Sequence, residues 1–94
     1  MSQKNATNPP AYVAAHRHSI RHRTEILNSE MCGCFYCLSM FTPAEISGWT
    51  DKRENVGQTA LCPRCGIDSV IGSASGYVIE QELLSQMHKH WFDG

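Results

Sequence analysis

Two C-x2-C pairs, a chain of only 94 residues, and helical periodicity on both sides of the pairs predict one architecture. It is a small α+β domain stabilised by zinc, with a four-cysteine core of treble-clef or zinc-ribbon type between an N-terminal and a C-terminal helix. The pairs are Cys34 with Cys37 and Cys62 with Cys65, separated by 24 residues. Each spacing lets two thiolates from one tight turn meet a tetrahedral metal. At this length an apolar core stabilises only modestly, and metal-binding free energy becomes folding free energy.

Residues 1–10 are polar, carry no apolar run, and read as a disordered leader ending in Pro9-Pro10. Residues 11–29 contain neither Gly nor Pro, and Val13, Ile20 and Leu27 recur every seven positions, which predicts a helix. A stripe that thin implies a helix separable from the zinc module formed by residues 30–94, and free to contact another molecule.

After the first pair, Thr42-Pro43-Ala44-Glu45 has an N-cap residue, a proline at the first helical position and an acid at the third. It predicts a short helix or turn over 43–48. Residues 50–57 are the most polar internal run and read as an exposed loop. Residues 58–61 read as a short strand leading to Cys62. Gly66 directly follows the second pair, where a knuckle favours positive φ. Ile67, Val70 and Ile71 fit either a short helix or a strand, and 72–76 form a turn or linker. Ile79, Leu83, Met87 and Trp91 recur every four residues and predict a core-facing helix over 79–92. Trp91, Phe92, Tyr36 and Trp49 are assigned to the core.

The cysteines point to one structural zinc held by Cys34, Cys37, Cys62 and Cys65. Four thiolates fill the tetrahedron and leave no open position for a reacting water. Cys32 adds a C-x-C spacing, so it is an alternative ligand to Cys34, or otherwise a small buried apolar group. Nothing in residues 1–10 resembles an export signal, and reduced cysteines then imply a cytoplasmic protein. No apolar run approaches the roughly 18 residues that would span a bilayer, so no membrane role is expected.

The formal net charge is −1, unevenly distributed: residues 1–31 carry +2 and residues 32–94 carry −3. The run from His16 to Arg23 holds the candidate contact residues Arg17, His18, Arg21 and Arg23. They suit an acidic protein surface, and as a second reading a nucleic-acid backbone. His18 and His22 also have the i, i+4 spacing of helical metal ligands, but no third ligand follows nearby. A protein partner is the first expectation, nucleic acid the second, and self-association through the N-terminal helix is compatible with both.

The phrases Cys-Gly-Cys-Phe-Tyr-Cys, Phe-x-Pro-x-Glu-Ile-x-x-Trp and Thr-Ala-Leu-Cys-Pro-Arg-Cys-Gly-Ile-Asp-Ser-Val-Ile resemble those of short uncharacterised bacterial cytoplasmic zinc-finger proteins. That resemblance covers most of residues 31–92 and implies a fold neighbourhood without an activity. Treble clefs also include HNH nucleases, which need a histidine base ahead of the second pair. Residues 38–61 contain no histidine, their one asparagine is Asn55, and Gly66 or Ile67 stands where a further metal ligand would follow. The expected function is therefore a non-enzymatic zinc-binding interaction module acting as a regulator or inhibitor. A nucleic-acid-binding finger is the alternative and a degenerate HNH-type nuclease the remote one.

Overall fold

A computed structural model describes residues 9–93, so the expectation for residues 1–10 lies almost wholly outside the described chain. The architecture is built on a three-stranded antiparallel sheet with β1 (Cys32–Cys34) at its centre, flanked by β2 (Met40–Phe41) and β5 (Val70–Gly72). Cys32 pairs with Phe41 and Gly72, Gly33 with Met40 and Ile71, and Cys34 with Val70. A separate hairpin joins β3 (Trp49–Arg53) to β4 (Val56–Ala60).

Strand alternation sorts these residues onto two faces. Cys32, Cys34, Phe41 and Val70 pack with Ile26, Ile46, Ala60 and Cys62 on one side. Ile71 packs on the other with Ala15, Phe35, Ile79, Leu83, Leu84 and Met87. Gly33 sits where the second layer presses hardest: a Cβ there would lie 2.8 Å from Leu84 Cδ1 and 2.9 Å from Ile79 Cγ2. A bare backbone lets helix α3 (Gln81–His88), which carries Leu84, seat directly on the central strand.

The N-terminal segment departs from the expected helix over 11–29. It forms one turn, α1 (Ala11–Ala14), a 3-10 stretch (Ala15–Ser19), a break, and then α2 (Arg23–Leu27). Ile20 is extended and Arg21 takes φ 48°, a left-handed value that costs a side-chain-bearing residue about 1–3 kcal/mol unless its surroundings hold it. Two contacts to β4 hold it. The Arg21 N–H donates to Thr59 Oγ1 at 2.8 Å, and the His22 ring accepts the Ala60 N–H at Nε2 at 3.0 Å. The buried positions are Ala15, Ser19, His22, Ile26 and Ser29, whereas Ile20 and Leu27 are half exposed. Of the expected apolar stripe, Ile20 and Leu27 thus lie on the outer side and Val13 is part-buried. Since Ile26 and Ala15 belong to the two core layers, the segment is core and not separable from the module.

The expected loop over 50–57 is also corrected, because those residues build most of the β3–β4 hairpin. Glu54 (φ 52°) and Asn55 (φ 70°) form its two-residue turn, with Arg53 opposite Val56. Left-handed values at both central positions give the turn the twist of the flanking strands. Thr42-Pro43-Ala44-Glu45 behaves as read: a 3-10 turn spans Pro43–Glu45, and the Thr42 N–H donates to Glu45 Oε2 at 2.8 Å. The C-terminal helix is shorter than 79–92. After His88 the chain widens into a π turn (Lys89–Asp93), which carries Trp91 and Phe92 off the core-facing stripe. Trp91, Phe92 and Tyr36 are accordingly 39%, 43% and 44% exposed rather than core, while Trp49 is half-buried.

Candidate metal centre

Both cysteine pairs sit in the same backbone device. In the first, the Cys34 N–H donates to Ser39 O at 2.9 Å and Cys34 O accepts the Leu38 N–H at 2.8 Å. In the second, the Cys62 N–H donates to Ile67 O at 2.9 Å and Cys62 O accepts the Gly66 N–H at 2.9 Å. The residue after each pair turns left-handed, at φ 67° for Leu38 and 80° for Gly66. Glycine meets that requirement without strain. Leu38 meets it while its side chain packs beneath α3.

Backbone N–H groups point at the sulfurs, as thiolate ligands need once their charge is buried. The Tyr36 N–H approaches Cys34 Sγ at 3.3 Å. The Arg64 and Cys65 N–H groups approach Cys62 Sγ at 3.3 and 3.4 Å. The Cys34 and Cys65 sulfurs are 3.7 Å apart, as are those of Cys37 and Cys62, and all four lie within 4.8 Å of one another. A tetrahedron with metal–sulfur bonds of about 2.3 Å has an edge of about 3.8 Å, so this spacing fits a four-thiolate ion. It is far from the roughly 2.05 Å of a disulfide, and all five cysteines are free thiols.

Contacts from neighbouring segments fix the two knuckles that deliver the sulfurs. Cys34 ends the central strand, and the Phe35 N–H donates to Ser69 O at 3.0 Å, tying the first knuckle to β5. Glu45 bonds Arg64 Nη2 at 3.0 Å, tying the Pro43–Glu45 turn to the second knuckle. The Thr42 backbone and Arg64 together lower the Glu45 pKa.

Burial drives the Cys34 thiol pKa well up and raises that of Cys65. At Cys37 burial acts in the same sense, but hydrogen bonding with Ser39, Cys62 and Cys65 together outweighs it and leaves the thiol at about 7. Cys32 lies on the same strand face as Cys34 but outside the group of four sulfurs. It is fully buried beside Ile26 and Phe41, and desolvation pushes its thiol up to about 11. Packing is therefore its role here.

The contact residues read from the sequence divide. Arg17 and Arg21 are exposed. Arg23 is engaged with the hairpin: Nη1 donates to Gly57 O at 2.8 Å and the guanidinium lies 4.7 Å from the Trp49 ring centroid. His18 Nδ1 pairs with Glu25 at 3.0 Å. His18 and His22 do not converge on a common site. Among the described residues, the four cysteines form the one cluster of metal-ligating side chains.

Sequence reading weighed His22 only as a metal ligand and missed its bridging role: its Nδ1–H donates to the His18 carbonyl while Nε2 receives the Ala60 N–H two residues before Cys62. Those two bonds require the neutral Nδ1–H tautomer. Burial, with a smaller contribution from His18, lowers its pKa below the ordinary 6.5 despite the opposing pull of its backbone bond and Glu25. Above pH 6.5 this group costs nothing; below it the unfolded chain binds the proton more readily, and stability falls as pH drops towards the folded pKa. Imidazole ¹⁵N chemical shifts should show His22 still neutral when exposed histidines are half protonated. Titration of His22 alongside them would contradict its buried bridging role.

Compared with family models, curated proteins and solved structures, the chain matches none.

Proposed function

We propose that this chain is a non-enzymatic, zinc-stabilised interaction module of the reducing cytoplasm, acting by contact as a regulator or inhibitor. The observation that carries this reading is the sulfur quartet at tetrahedral spacing, which supplies a complete ligand set and leaves no open position for substrate. Cys34, Cys37, Cys62 and Cys65 would hold one zinc, and the ion would supply cross-linking between the two knuckles. A zinc-ribbon reading is favoured over a treble clef because both pairs occupy equivalent knuckles and the second leads into strand β5 instead of a helix. This also weighs against the degenerate nuclease, whose scaffold is a treble clef.

The zinc-loaded chain should leave supercoiled plasmid and single-stranded RNA intact in magnesium or manganese. Metal-dependent cleavage that disappears in His18→Ala would overturn the non-enzymatic reading.

A further inference from the structure

Folding brings together basic side chains that the sequence keeps apart. The break at residues 20–22 opens a groove of about 540 Å³ whose lining includes Arg17, Arg21 and Arg23. An adjoining groove is lined by Ile20, Arg21, Asp51, Lys52 and Arg53, so the β3–β4 hairpin extends the same surface. Ile20 and Arg21 belong to both. Five of the eight Lys and Arg residues therefore line one strip of a chain whose net charge is −1.

The strip continues past Arg17 and Ile20 into a third groove, walled by Phe35, Trp91 and Phe92 and also lined by Asp68. Trp91 stacks on His16 with centroids 3.9 Å apart, and Phe92 meets Tyr36 edge-on at 4.9 Å. These contacts hold the rings in place while each remains about two-fifths exposed.

Most of the unpaired basic side chains fall on the same surface; among the described residues Lys89 is also exposed and unpaired, but it lines a different groove. Arg64 is paired with Glu45, and Arg23 is engaged with Gly57 O. Among the described residues, the side chains of Arg17, Arg21, Lys52 and Arg53 make no such bond, and all four are exposed. Of the acids nearby, Glu25 pairs with His18; Asp51 accepts the Thr59 hydroxyl and keeps its charge, and Glu54 and Asp68 are exposed beside the strip, so the five bases outnumber the acids that stay unpaired.

We propose that this strip binds single-stranded nucleic acid, with Arg17, Arg21, Lys52 and Arg53 meeting successive phosphates and Phe92 with Trp91 stacking bases at one end. Unpaired cations in a row suit any polyanion. Exposed, braced aromatic rings at the end of the row favour bases over the carboxylates of an acidic protein. The assignment deepens the interaction-module reading, on which it rests, and names its partner class.

The test is fluorescence anisotropy of labelled DNA and RNA single strands of about 15 nucleotides with the full zinc-loaded chain, titrated with salt. Affinity should fall steeply as salt rises, by about 0.7 in log–log slope for each phosphate engaged. Arg17→Ala with Arg21→Ala, and separately Lys52→Ala with Arg53→Ala, should each weaken binding at least about tenfold and reduce the slope by about 1.4. Phe92→Ala should weaken binding about fivefold or more and leave the slope unchanged, the signature of lost stacking. Zinc content of every variant and the melting curves of the Arg and Lys variants should match the parent; Phe92→Ala should lower the midpoint slightly, because its ring packs on Tyr36 and Phe35, yet remain folded at the assay temperature.

No binding at low salt, tighter binding to duplex, or variants with parental affinity would overturn the proposal. Equal affinity for polyglutamate with no effect of Phe92→Ala would also overturn it, in favour of an acidic protein surface. Zinc content separates the two readings. A zinc-loaded chain that ignores nucleic acid removes the strip alone, whereas a folded chain that binds nucleic acid without zinc removes the zinc module alone.

Discussion

Cys62→Ser, or chelation of the metal from the intact chain, is expected to abolish cooperative folding. Cys62 is 3% exposed and sits in the layer that also contains Cys34 at the end of the central strand. Removing its thiolate cuts the link between the knuckle that precedes β5 and the knuckle that joins β1 to β2. Structural zinc contributes about 10–16 kcal/mol in isolated fingers, comparable to the whole stability of a typical domain. Thermal melting followed by circular dichroism should therefore show a sharp transition in the zinc-loaded chain and none after chelation. Cys32→Ala is the control: it should keep the metal and lose only some packing, because Cys32 lies outside the sulfur group. An unchanged midpoint after chelation would show that the apolar layers suffice.

Deleting residues 1–29 should likewise leave no folded remainder. Ile26 is fully buried against the layer that contains Cys32 and Cys34, and Ala15 is fully buried in the opposite one. The same deletion removes the His22 acceptor that holds the Ala60 N–H and leaves that donor buried without a partner. Ile26→Ala alone should cost about 2–5 kcal/mol, measured as a lower urea midpoint at unchanged slope. A truncated chain that stays folded and binds metal would refute this account of the N-terminal segment.

The two regions differ in how far their residues alone reveal them. The cysteine pairs were legible because a two-residue gap closes a knuckle through local geometry, and Gly66 marks the left-handed position that follows. Thr42 to Glu45 was legible for the same reason: a cap, a proline and an acid act within one turn. The N-terminal segment was misread because its buried face is Ala15, Ser19, His22 and Ile26, mostly small or polar, while larger Ile20 and Leu27 face outward. Its break has no Gly or Pro to announce it, and depends on Thr59 and Ala60 nearly forty residues away.

The hairpin was hidden by its charges. Asp51 to Asn55 resembles a solvated loop, and the Glu54-Asn55 turn lacks the glycine that usually signals such a connection. Whether Val70 and Ile71 continued as helix or strand was decided by pairing with Cys34 and Gly33, which no local pattern encodes. Leu38 shows the converse. Its equivalence to Gly66 becomes visible only when the two knuckles are laid over each other.

The quartet of sulfurs is the claim on which the rest depends. X-ray absorption at the zinc edge, on protein purified without added metal and quantified by elemental analysis, tests it most directly. The result expected is about one zinc per chain with a shell of four sulfurs at about 2.3 Å. A shell containing nitrogen or oxygen, or a chain that carries no zinc while its cysteines remain reduced, would contradict it.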